Sequence, residues 1–210
     1  GGGEGSFLFF YYCSITIIFM AEKNSAVNLI HQLKYTFALK LLNRDAKKRI
    51  RKRVLINFSK AKKIGLLYVL DNEETYRDIV RFVNNLQDKG KIVKALGRFY
   101  GDLQPLYYIP RLSFDLLKSD TIGWLGQPKA EFADRFIQEE FDVLFYFSQD
   151  SHFALEYSYA LSKSKLKVCN ESAVLNPYTD LMIKVKSNNT LTRFLDTAIH
   201  YLSIINHSDE

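Results

Sequence analysis

Asp71 is the residue whose surroundings come nearest to a chemical signature. It follows the apolar run 64–70 and opens the string D-N-E-E-T, Asp71 to Thr75. A phosphoryl-transfer loop of the DxDxT kind needs a nucleophilic aspartate and a second aspartate two positions on that serves as general acid and base. Position 73 is Glu, and no acidic pair follows a later apolar run to hold magnesium, because Asp142 precedes the run 143–147. The same letters describe a helix start, with Asp71 as N-cap and Glu74 three residues later returning to the cap's N–H. The spacing therefore supports a cap.

Ser148, Gln149, Asp150 and Ser151 also follow an apolar run. In an open α/β sheet such positions fall at the carboxyl ends of strands, where ligands bind. Asp71, Arg98, Ser148 and Asp150 together define a candidate ligand edge for a nucleotide or another small molecule. His152 comes next without an acid or nucleophile at a telling spacing and reads as structural. The phosphate loop GxxxxGK[ST] is absent, and no GxGxxG follows an apolar run. Trp124, in the glycine-bounded string GWLGQP, reads as a packing residue. The four histidines are far apart, and Cys13 and Cys169 suit neither a disulfide framework nor a metal site. No catalytic residue, metal or cofactor is assigned, and a reducing cytoplasm is the expected compartment.

The strongest compositional signal is charge. Between Lys40 and Lys63 eleven lysines and arginines face one acid, Asp45, a surplus of ten in a chain whose formal charge is +6. The rest of the chain is thus net acidic. Val27, Ile30, Leu33, Phe37, Leu41, Ile50, Val54 and Phe58 keep mostly three- and four-residue steps, as on one or two amphipathic helices. Lys47, Lys48, Arg49, Arg51, Lys52 and Arg53 are the candidate phosphate contacts of such an arm. RNA or a ribonucleoprotein would be held with strong salt dependence and little sequence preference. An anionic membrane surface is a weaker alternative, and a solvated helix face is the plain one.

The elements that must position these groups alternate. The apolar runs 64–70, 91–96, 143–147 and 166–169 read as buried parallel strands. The stretches 73–89, 132–141, 152–164 and 191–205 carry helical periodicity. Residues 178–185 resemble a further strand nearer an edge, and 97–129, broken by Pro105, Pro110, Gly123, Gly126 and Pro128, form a long excursion with room for a short strand or hairpin. The expected fold is a three-layer α/β domain over residues 64–206, with a mostly parallel, doubly wound, Rossmann-like sheet preceded by a basic helical arm, 20–63. Residues 207–210 are a tail.

Phe7 to Met20 is an uncharged apolar run of fourteen residues. A membrane span needs about 18–20, and no positive region precedes the run as in a secretory signal. Met20 is read as the biological start and 1–19 as a leader outside the protein proper. The alternative, an inner-membrane anchor, would place the basic segment on the cytoplasmic side.

Several strings resemble one α/β family common in Bacteroidota: IGLLYVLD (64–71), GKIVKALG (90–97), WLGQPK (124–129), FDVLFYFS (141–148), ALSKSKLKV (160–168), YTDLMIKV (178–185) and HYLSIIN (200–206). The likeness spans residues 29–206 and has no assigned activity to carry over. What remains is a binding protein that engages a polyanion through the arm, or a small molecule at the sheet edge, with an enzyme held less favoured.

Overall fold

The four apolar runs become strands, and with one from the excursion 97–129 and one from 178–185 they make six among the described residues, all pairing in one direction. A computed structural model describes residues 30, 32–101, 103–184 and 190–205. The leader, the tail and the first part of the arm lie outside these. The strands are β1 (Lys63–Val69), β2 (Ile92–Arg98), β3 (Phe114–Leu117), β4 (Val143–Tyr146), β5 (Leu166–Asn170) and β6 (Leu181–Ile183). Every pairing is parallel, in the order β3-β2-β1-β4-β5-β6. This is the strand order of a Rossmann-like doubly wound sheet, in which the chain reverses its direction of growth between β1 and β4.

The chain divides into two units, Gly1–Leu41 and Leu42–Glu210. Residues 32–47 are helical and are labelled α1. In the first unit Thr36 Oγ1 donates to Gln32 O at 2.9 Å, and Lys40 lies over the Phe37 ring at 5.6 Å. The second unit holds the sheet and the helices α2 (Glu73–Asp88), α3 (Glu131–Gln138), α4 (Phe153–Leu161) and α5 (Leu191–Ile204).

Strand side chains alternate between the faces, and the core divides accordingly. Ile64, Leu66 and Tyr68 of β1 join Phe145 and Val168 beneath Ile79 and Val83 of α2 and Phe194 and Ala198 of α5. Leu67 and Val69 join Leu144 and Tyr146 beneath Phe136 of α3 and Leu155 and Tyr159 of α4. Both faces are covered, which is why β1 and β4 read as unbroken apolar runs. Each fully buried Leu or Phe contributes about 1.5–3 kcal/mol. Gly65 permits this closeness, since a Cβ there would lie 2.8 Å from Leu144 Cδ1 and Phe141 Cδ2.

The described part of the arm is helical only as far as residue 47, the end of α1, and residues 49–57 continue without helix. Val54 and Phe58, expected on the helical stripe, instead fix a strap to the body: Val54 N–H donates to Lys165 O at 3.2 Å and Phe58 N–H to Leu202 O at 3.1 Å. Asn57 Nδ2 adds bonds to Ser203 O and Ile205 O at 2.9 and 2.8 Å. Backbone bonds to distant carbonyls outweigh the local preference for helix. The 178–185 strand also shrinks, to the three residues of β6 at the sheet edge, preceded by a single turn at Asn176–Tyr178.

Candidate functional site

A cavity of about 410 Å³ lies at the carboxyl ends of β1 and β4, where the strand order reverses. Tyr68, Val69 and Phe147 line it from the sheet, Asp71, Glu74, Thr75 and Asp78 from the start of α2, and Ser148, Asp150 and His152 from the turn before α4. Thr190 and Leu191 contribute from the start of α5. Three of the four residues assigned to a ligand edge thus converge: Asp71, Ser148 and Asp150.

Arg98 does not join them. Its buried guanidinium donates to Phe99 O and to Leu117 O, the latter at 3.0 Å, and sits 4.2 Å from the centre of the Tyr100 ring. It ties the end of β2 to β3 and braces Tyr100.

The expected cap at Asp71 is displaced by one residue. Asn72 is the N-cap, accepting from Thr75 N–H at 2.9 Å through Oδ1. Strand β1 and the following Leu70, bonded to Arg98 O at 2.8 Å, carry the extended chain one step farther than the apolar count implies. The displacement frees the exposed Asp71 carboxylate for the cavity. Asp142, the other acid weighed for phosphoryl chemistry, sits at the opposite end of β4, where Oδ2 accepts from Lys62 and Lys63 N–H at 2.7 and 3.0 Å.

The turn after β4 is held from β5. Asn170 Oδ1 accepts from Ser148 N–H at 3.2 Å, and its amide donates back to Ser148 O at 2.6 Å. Asp150 N–H then donates to Ser148 Oγ at 3.3 Å, closing the turn that faces the cavity. Behind it, Ser151 Oγ lies 3.0 and 3.1 Å from the two oxygens of buried Glu156, whose pKa burial raises against those bonds.

His152 has partners that its sequence position does not disclose. Nδ1 lies 2.6 Å from Tyr100 Oη. Burial lowers the His152 pKa, opposed by Asp71 and Asp150, and burial raises that of Tyr100. His152 and Tyr100 thus form a hydrogen-bonded pair beside the cavity that His152 lines. The signal that could have found it is the register of β2, which places Tyr100 two residues past the end of its strand.

Asp71, Glu74, Asp78 and Asp150 line the cavity, Asp78 accepting from Arg81 Nη1 at 3.1 Å, and no lysine or arginine is among the described lining residues. The turn from β1 to α2 holds no glycine, and Glu73 and Glu74 occupy the first helical turn, where a phosphate would otherwise meet free N–H groups. Among the described residues no group of three His, Cys, Asp or Glu side chains could hold a metal ion.

The basic residues lie away from this cavity. Arg51 is tied down: Nη1 donates to Ser164 O and Lys165 O, both at 3.1 Å, and Nη2 to Asp180 Oδ1 at 2.7 Å. Arg53 approaches the same carboxylate at 3.7 Å with its side chain largely in solvent. Lys47, Lys48 and Lys52 are exposed and Arg49 is half-buried. Trp124, expected to be packed, is 76% exposed at the tip of a loop closed by Gly123 N–H to Gln127 O at 2.7 Å. No helix among the described residues is long and apolar enough to cross a membrane.

No curated protein matches the chain. Residues 34–205 match the model of a family of unknown function, DUF6913, and the chain belongs to that family.

Proposed function

We propose that this protein is a non-catalytic binding protein whose cavity at the β1–β4 crossing takes a small cationic organic ligand. The observation that carries the reading is the lining: four carboxylates from two separate chain segments line one cavity of about 410 Å³, Asp78 paired with Arg81 at 3.1 Å, with no lysine or arginine among the described lining residues. Such a cavity concentrates positive charge and repels polyphosphates. The glycine-free, acid-bearing first turn of α2 counts against a dinucleotide for the same reason. His152 and Ser148 supply hydroxyl and imidazole groups that would orient a ligand already held by charge.

Titration calorimetry with putrescine and spermidine, set against AMP and NAD, tests this. Amine binding that weakens about tenfold in Asp71→Asn and again in Asp150→Asn is expected, a loss typical of one charge-assisted contact. Binding of AMP or NAD in preference to the amines, or amine binding indifferent to both substitutions, overturns it.

A second reading rests on the strap. Arg51 pins it while Lys47, Lys48, Lys52 and Arg53 stand in solvent, an arrangement that would present a rigid row of cations to RNA. This surface is composed of residues other than those of the cavity, so both can operate in one molecule.

A further inference from the structure

Among its described residues the connection from β2 to β3 holds no helix. Parallel strands are usually joined by one, yet the described residues of 99–113 show only short turns at 106–107 and 112–113, with Pro105 and Pro110 between the strands. Tyrosines fasten the crossing to α2. The Tyr76 ring lies 5.2 Å from that of buried Tyr108 and 6.2 Å from that of Tyr107. Tyr76 Oη donates to Ile109 O at 2.8 Å and accepts from Ile109 N–H at 3.1 Å. Gln87 Nε2 donates to Ser113 Oγ at 2.9 Å near the far end.

The outward side is a row of aliphatic residues at every third position. Leu103, Leu106, Ile109 and Leu112 are 84, 103, 59 and 104% exposed. Leu106 and Leu112 therefore contribute nothing to the core, and a fold that needed only a crossing would have no use for them. Beside the row a groove of about 480 Å³ is lined by Arg77 and Arg81 on successive turns of α2, Arg81 exposed and paired with Asp78 at 3.1 Å, and by Arg111 from the crossing. Tyr76, Val80, Tyr107 and Ile109 give it an apolar floor, and Glu73 is the one acid among its lining residues.

We propose that this crossing is a membrane-docking ridge for anionic phospholipid: the outward leucines enter the bilayer interface while Arg77, Arg81 and Arg111 take lipid phosphates. Protruding, separately exposed aliphatic chains suit a bilayer, which accepts each without a preformed pocket. A protein partner would instead favour a continuous patch with a packed centre. Guanidinium groups complete the match, because their forked donors pair with phosphate oxygens. The tyrosine fastening keeps the ridge in one shape, so docking requires no ordering of a loose loop.

Co-sedimentation of the full chain with vesicles of phosphatidylcholine, or of phosphatidylcholine and phosphatidylglycerol in three-to-one ratio, decides this. The parent chain is expected to favour the mixed vesicles. Leu106→Gln with Leu112→Gln should lower the partition about tenfold without changing the melting temperature, since neither side chain is packed. Arg77→Gln with Arg111→Gln should remove the preference for anionic over zwitterionic vesicles, and charge reversal at Lys47, Lys48 and Lys52 should leave it intact. Absence of vesicle binding, or binding unchanged by the leucine substitutions, overturns the proposal. Capture of a soluble protein through those leucines without vesicle binding would overturn it too, assigning the ridge to another partner.

Discussion

Arg51 and Asp180, 129 positions apart, meet in a charged hydrogen bond of 2.7 Å that fastens the basic strap to the sheet. The other oxygen of Asp180 accepts from Lys167 N–H at 2.8 Å, so one carboxylate joins the strap to β5. Arg51 Nη1 also donates to the carbonyls of Ser164 and Lys165. A residue that composition places with the phosphate contacts is thereby a structural fastener, and its neighbours remain available to solvent.

Arg51→Ala is expected to lower unfolding free energy by about 2–3 kcal/mol, because it removes the charged partner of Asp180 Oδ1 and the side-chain donor to Ser164 O and Lys165 O. Lys52→Ala, one residue on and exposed, should change it by less than about 0.5 kcal/mol. Urea denaturation of both variants checks the contrast. Equal effects would mean that the strap is not held where the structure puts it.

Asn72→Ala should cost about 1 kcal/mol by removing the side-chain acceptor for Thr75 N–H, whereas Asp71→Ala should leave stability nearly unchanged. The reverse ranking in thermal melts would restore the cap to Asp71.

Lys167 carries the clearest pH dependence. Its Nζ is buried, donates to Ala160 O at 2.9 Å and lies 5.5 Å from the centre of the Tyr159 ring. Burial lowers its pKa to about 6, with Arg51 and Arg53 pushing the same way and Asp180 opposing. Between about pH 6 and the ordinary lysine value near 10.5 the unfolded chain therefore holds one proton more than the folded chain. Stability should rise with pH across that window by up to about 1.4 kcal/mol per unit from this group, and the gain should disappear as pH falls toward 6. Lys167→Met, which keeps the length and removes the charge, should flatten this part of the profile and be more stable than the parent at pH 5. Parallel profiles for the two proteins would show that Lys167 is charged in the folded state.

If the strap contacts RNA, glutamate at Lys47, Lys48, Lys52 and Arg53 should abolish binding of a single-stranded oligonucleotide at low salt. In the parent, log affinity should fall with log salt at about 0.7 per phosphate contacted. A fluorescence anisotropy titration at several salt concentrations checks both. Affinity that survives the substitutions would leave those cations as solvated surface.

Most of the elements are legible in the chain because their causes are local. Runs such as 64–70 and 143–147 must be buried on both faces, and the periodicity of 73–89 and 191–205 leaves one apolar face apiece. Parallel strands joined by helices follow from that alternation, and so does the Rossmann-like class. The excess of cations before β1 is equally plain in the composition. Placement is what the sequence by itself leaves open. Whether Val54 sits on a helix depends on Lys165 O, and whether Arg51 is free depends on Asp180. The one-residue shift of the cap from Asp71 to Asn72 depends on where β1 stops pairing. The cavity exists because β1 and β4 lie side by side at the reversal of strand order, which brings Asp71 to Asp150 and both to His152. Local patterns state which residues need burial; only tertiary structure decides which distant partners satisfy them, because those bonds and contacts join segments whose separation along the chain carries no periodic trace.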